Sequence, residues 1–165
     1  HRRIAYLGNA MAGRTDRDRM SGYHAVLHAA GLAIPEGYIH HEPGGHPEEG
    51  LRAAQHFVGL SEPPTAIMCF NDMMALGLLH GLHRAGWDIP RDCSVAGFDD
   101  VSIAAYTRPS LTTFDQPKYR LGAEAVGLVL QLLALPLARQ QAMKPQVIAL
   151  RGRLLARDST ARRES

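Results

Sequence analysis

Short apolar runs alternate along the chain with amphipathic stretches, and glycines or turn residues punctuate the joints. Residues 3–8 (RIAYLG) are a compact apolar run ending in Gly8 and Asn9, the pattern of a buried strand. From residue 15 to 30, Met20, Tyr23, Leu27 and Ala30 recur at helical spacing, and Gly31 supplies a left-handed stop. Residues 38–41 read as a weaker second strand, followed by a turn-rich stretch at 42–47. Pro47, with Glu48 and Glu49 behind it, suits the first turn of a helix that carries Leu51, Ala54 and Val58 and ends near Leu60. Residues 65–70 (TAIMCF) predict a third strand, and the next helix runs to Ala85 with Gly86 past its end. Asn71–Asp72 is expected to cap it: Asp72 first, because a carboxylate before an apolar helical run normally accepts backbone N–H groups, with Asn71 evenly placed between capping and binding. A strand at 94–98, a short helix at 101–105 and a strand at 111–114 complete the series. Repeated strand–helix steps with joints of a few residues predict an α/β fold, a doubly wound parallel sheet with helices on both faces.

After residue 115 the pattern changes. Gln116 and Pro117 open a long helix on which Leu121, Ala125, Leu128, Leu132 and Leu135 repeat at helical spacing until Pro136. A further strand is expected at 146–150, and the polar tail 157–165 is expected to fray. The helix at 73–85 is apolar nearly all round. Met74, Leu78 and Leu82 line one side, while Met73, Leu76 and Leu79 spread over the rest. A helix covering a sheet in a monomer should show a polar outer face. The pattern therefore predicts a homodimer interface through Met74, Leu78 and Leu82, with deep burial under neighbouring elements as the alternative.

Composition narrows the function. Eighteen Lys and Arg against sixteen Asp and Glu leave a formal charge of +2, much of it at the two ends, too scattered for a groove that follows phosphates. No apolar run reaches membrane-spanning length. The two cysteines, Cys69 and Cys93, lie in or beside apolar runs and read as buried free thiols, which fits a cytoplasmic setting. The opening residues read as a basic strand rather than a signal peptide. Among nine histidines, His24 with His28 and His80 with His83 share helix faces, but neither pair brings a third ligand, so no metal is expected. There is no G-x-S-x-G elbow, no phosphate loop and no dinucleotide-binding glycine turn after the first strand. Neither catalytic residues nor a cofactor are assigned.

In an open parallel sheet, the C-terminal strand ends share one rim, where ligands bind. The residues following the predicted strands are a loop leading to Arg19, then Gly44–Gly45–His46, Asn71–Asp72, Asp99–Asp100 and Asp115–Gln116. Nearly every rim position thus carries an amide, a carboxylate or a guanidinium, the donors and acceptors that a small polar ligand needs.

The run PTAIMCFNDMMALGLLHGLHRAGWDIPRDCSVAGFDD (64–100), the stretch PSLTTFDQP (109–117) and Leu121–Gly122 resemble the lactose-repressor/galactose-repressor family of bacterial transcription regulators. HRRIAYLG at the start, RMSGY at 19–23 and LLARDST near the end match the same family, so the resemblance covers essentially the whole chain. It implies a two-lobed effector-binding core, similar to periplasmic sugar-binding proteins, behind an N-terminal helix-turn-helix. On that pattern 1–115 is the C-terminal lobe, 116–156 a helix and strand belonging to the other lobe, and 157–165 a flexible tail. The helix-turn-helix lies outside this chain. By position, Arg19, Asn71, Asp99 and Gln116 match the family's effector contacts, and His46 stands in the loop where the family often places a stacking aromatic. The resemblance implies a homodimer that senses a sugar or related polar metabolite and meets operator DNA only through the missing N-terminal domain. A periplasmic-type solute-binding protein is the alternative with the same fold.

Overall fold

The computed structural model describes residues 1–163. The chain forms two compact units, one of His1–Phe114 joined by the segment from Leu154 onward, the other of Asp115–Arg153. In the first, β1 (Ile4–Asn9), α1 (Arg14–Ala29), β2 (Ile39–Glu42), α2 (Pro47–Val58), β3 (Ala66–Cys69), α3 (Asp72–Arg84) and β4 (Ser94–Ala96) follow in turn. The four strands are parallel in the order β2-β1-β3-β4. A single-turn 3-10 helix at Ser102–Ala105 leads to β5 (Thr113–Asp115), which pairs with β6 (Arg153–Leu155). A parallel bridge between Ala96 and Thr112 carries the sheet toward β5.

The strands are apolar on both faces because both faces are covered. Register aligns Tyr6 with Ile39 on one side and Met68 on the other; these side chains pack with Tyr23 and Leu27 of α1. One residue along, Ala5, Leu7, Ile67, Cys69 and Val95 face the opposite way, onto Ala54 and Phe57 of α2 and Met74, Leu78 and Leu82 of α3. Burial pushes the Cys93 thiol up to about 12 and holds Cys69 well above its ordinary value.

The interface expected through Met74, Leu78 and Leu82 is overturned, since all three are fully buried within the first unit's own core. The helix is apolar on two sides because it is covered twice, by the sheet and by α2. Glycines make the second contact possible: a Cβ at Gly77 would overlap the Pro47 carbonyl oxygen, and one at Gly50 the Met74 carbonyl oxygen. The exposed side of α3 carries Met73, His80, His83 and Arg84.

Of the two capping candidates, the preference for Asp72 is also corrected. Asn71 is the N-cap of α3, its Oδ1 accepting from Met74 N at 2.8 Å, while Asp72 is fully buried. Nor does the tail fray. Ser159 is fully buried, its backbone N–H donating to Ser110 O at 2.9 Å and its hydroxyl to Val95 O at 2.6 Å. Polar groups replace an apolar signal there, which is why composition suggested a loose end. Glu164 and Ser165, part of the same expectation, lie outside the described residues.

In the second unit, α4 (Lys118–Leu133) buries no residue and exposes Val126, Val129, Leu130 and Leu133. A short α5 (Leu137–Ala142) follows Pro136. The strand expected at 146–150 does not form: no strand pairs with it among the described residues, and Val147 is exposed. Arg153–Leu155 takes strand form instead, because β5 offers it a partner. Among the described residues no helix is long and apolar enough to cross a membrane.

Two substitutions test the packing. Gly77→Ala is expected to cost about 3 kcal/mol or more in urea denaturation, because backbone must move to admit the methyl group. Gly22→Ala, where nothing lies within 4 Å of the added carbon, is expected to stabilise by ~0.5–1 kcal/mol. Alkylation with iodoacetamide should leave both cysteines unmodified in the native protein and label both in denaturant.

Candidate functional site

Arg19 leaves α1 and reaches across the C-terminal ends of β3 and β4. Its guanidinium lies between two rings, 4.4 Å from the Phe70 centroid and 3.8 Å from that of Phe98, and Phe98 stacks in turn on Phe114 at 4.9 Å. Nη1 donates to the Phe70 carbonyl oxygen, and Nη2 stands 3.7 Å from Asp99 Oδ1. The side chain is only 14% exposed, and burial lowers its pKa while Asp99 acts against that shift. The Phe70 and Phe98 rings hold the guanidinium by cation–π contact, and its N–H groups are what it can offer to a ligand.

Asp99 and Asp100 occupy left-handed backbone, with φ of 120° and 50°. Such conformations cost of order 1–3 kcal/mol each in residues with a β-carbon and persist only when the surroundings enforce them. Here Asp99 N donates to Phe114 O at 3.1 Å, and Asp100 N to the Thr113 hydroxyl at 3.2 Å. The next residue is tied to α3, because Asp72 Oδ2 accepts from Val101 N at 2.8 Å while Oδ1 accepts from the Thr113 hydroxyl at 2.5 Å.

Asn71 lies at the same strand ends, but much of its hydrogen-bonding capacity is used internally. Besides capping α3, its amide donates to Gly45 O at 3.0 Å, leaving one N–H and one lone pair. That contact explains Gly45, where a Cβ would stand 2.9 Å from Asn71 Nδ2 and 3.0 Å from Asn9 Nδ2. His46 is exposed at the start of α2, its backbone N–H donating to Glu49 Oε2 at 2.8 Å. Gln116 stands in the second unit, two residues beyond Phe114, so the cluster assembled by the first unit is Arg19, Asn71 and Asp99 without it.

Other residues of this rim are not evident in the sequence. Asp16, one turn before Arg19 on α1, is 4% exposed. Its Oδ1 accepts from the Tyr6 hydroxyl and from Asn9 N, both at 2.9 Å, and Oδ2 is 2.9 Å from His41 Nε2. Burial, and then this carboxylate, push the Tyr6 phenol upward. An acidic residue at i−3 from a rim arginine was the available signal. The phenylalanines around Arg19 carried none, because Phe70 and Phe98 follow two strands far apart in the chain. Among the described residues, no group of three or more histidine, cysteine, aspartate or glutamate side chains is arranged to hold a metal ion.

A parallel sheet with a guanidinium and a strained carboxylate at its C-terminal rim fits many binding proteins, and comparison decides among them. Residues 1–160 match the periplasmic binding protein-like domain. The chain belongs to that family, among the lactose-repressor/galactose-repressor regulators. It is 34% identical over 161 residues to the HTH-type transcriptional repressor PurR of Escherichia coli O1:K1 / APEC, covering 98% of this chain and 46% of the repressor. A transcriptional regulator LacI from Bacillus cereus subsp. cytotoxis superposes with a TM-score of 0.86 at 30% identity, covering 98% of this chain and 55% of that one. A sugar-binding transcriptional regulator of the LacI family from Escherichia coli, solved with phosphate, gives 0.84 at 30% identity over 96% of this chain and 55% of that one. The chain spans about half the length of the curated relatives it matches.

Removing the Asp72 carboxylate would strand a buried hydroxyl and a backbone N–H. Asp72→Ala is expected to cost about 3 kcal/mol or more in chemical denaturation, and Thr113→Val about 1 kcal/mol.

Proposed function

We propose that this chain is the effector-sensing part of a ligand-controlled transcriptional repressor, and that the effector is a sugar or a related polar metabolite. The observation that carries this reading is Arg19, fixed between Phe70 and Phe98 beside an Asp99 on strained backbone. A rigid donor next to a rigid acceptor suits neighbouring hydroxyls, or a ring nitrogen beside a carbonyl. Asn71 adds its remaining N–H and lone pair, and Gln116 and His46 are further candidate contacts on the family resemblance alone. The ligand is bound, not transformed, so no enzyme activity and no cofactor are assigned.

In the intact regulator the effector bridges two lobes, one of them formed by 1–115. It favours one closure angle and so alters how a pair of DNA-binding domains meets the operator in the cytoplasm. The protein works as a homodimer. With Met74, Leu78 and Leu82 buried, the pairing surface moves to exposed apolar residues at and near the start of α3: Met73, and Ile103 and Tyr106 of the segment that Asp72 ties to it.

A thermal-shift screen of the full-length regulator against monosaccharides, disaccharides and purine bases tests the assignment. A true effector at ~100 times its Kd stabilises by about 2.7 kcal/mol, a rise of several degrees. Arg19→Ala and Asp99→Asn should each abolish that rise while the unliganded protein stays folded. Turnover of a stabilising compound, or a rise that survives both substitutions, would refute the reading.

A further inference from the structure

Two consecutive aspartates in left-handed backbone need an external hold, and the C-terminal segment supplies one. Arg157 approaches the loop by its side chain, with Nη2 2.7 Å from Asp100 Oδ1 and Nη1 donating to Leu111 O at 2.9 Å. The pair is largely shielded, the two side chains being 19% and 24% exposed. Arg157 is itself fastened: its backbone N–H donates to Thr112 Oγ1 at 2.8 Å, and the Thr112 hydroxyl donates to its carbonyl oxygen at 3.1 Å. Two residues on, Ser159 is laced between β4 and the segment before β5. Its carbonyl oxygen accepts from Val95 N, and its hydroxyl oxygen accepts from Thr112 N, both at 2.8 Å.

The guanidinium is thus fixed at both ends, one toward the sheet edge and one toward Asp100. Asp100 directly follows Asp99, whose carboxylate stands beside Arg19. We infer that Arg157 is a positioning residue of the candidate effector site: by gripping Asp100 from the C-terminal strap, it keeps Asp99 in the backbone conformation that aims its carboxylate at the rim. The assignment of the rim as an effector site is taken from the proposed function, but the grip itself is a property of the unliganded protein and is tested without a ligand.

Residue-resolved amide hydrogen exchange on the complete chain, read by NMR, provides the test. In Arg157→Gln the Asp99 and Asp100 amides should exchange about tenfold faster, while core amides such as Leu78 and Leu82 stay within about twofold. Asp100→Asn should reproduce the effect, and combining the two should add little, because both remove one contact. Arg157→Lys, which keeps a cation near Asp100, should restore much of the protection. The Arg19 side-chain Nε–Hε resonance should move in Arg157→Gln and return toward its original position in Arg157→Lys. Unchanged Asp99 and Asp100 exchange in both Arg157→Gln and Asp100→Asn would overturn the inference. So would equal acceleration of Leu78 and Leu82, which would make the pair a general support of the fold. Should Arg157→Gln fail to fold, Asp100→Asn alone decides, by the same two amides. A failed effector screen with a positive exchange result would reject the proposed function and leave the grip standing; the reverse would reject the grip alone.

Discussion

The first unit turns on one buried carboxylate. Asp72 is fully buried, and an ion held away from water is costly unless its lone pairs are met. It meets them by accepting from the Thr113 hydroxyl and from Val101 N, and it lies in the first turn of α3, where the helix dipole favours negative charge. Three segments far apart in the chain are thereby held together: the start of α3, the loop after β4, and β5. Close approach is part of the arrangement, for a Cβ at Gly97 would overlap Asp72 Oδ1. The strained Asp99–Asp100 pair sits between Gly97 and Val101, inside the loop so held.

The glycines of α2 and α3 act at longer range. With Gly50, Gly77 and Gly81 at the crossing, two helices share backbone-level contact, and α3 buries one side against the sheet and another against its neighbour. That fixes the height of Asn71 and Asp72 at the helix start, and so the position of the rim.

Much of this was legible in the sequence. The unbroken apolar runs Ala5–Tyr6–Leu7 and Ile67–Met68–Cys69 are those of strands covered on both sides, and Gly31 and Gly86 mark helix ends with positive φ. Arg19, Asn71 and Asp99 do fall at the strand ends, because a parallel sheet leaves its C-terminal ends no other place. What could not be read was which polar group serves structure. Asn71 and Asp72 are both good caps, and Thr113, forty-one residues away, draws Asp72 inward. The double burial of α3 shows in the sequence only as glycines, and hydropathy weighs a glycine the same at a helix crossing as in a loop. Ser159 is buried through hydrogen bonds to Val95, Ser110 and Thr112, a kind of burial that leaves no apolar signature.

The lacing of Ser159 into the sheet edge also has a kinetic side. Val95 pairs with a residue sixty-four positions downstream, so during synthesis its part of the outer edge of β4 waits for Ser159, whereas Ala96 meets Thr112 much sooner. The four-stranded sheet with its α2–α3 layer is built from shorter-range contacts and can assemble earlier, whereas the aspartate loop gains its contact with Arg157 only later. A nascent chain stalled short of residue 157 would therefore leave the Val95 end of that strand edge unpaired, a place where another strand can add.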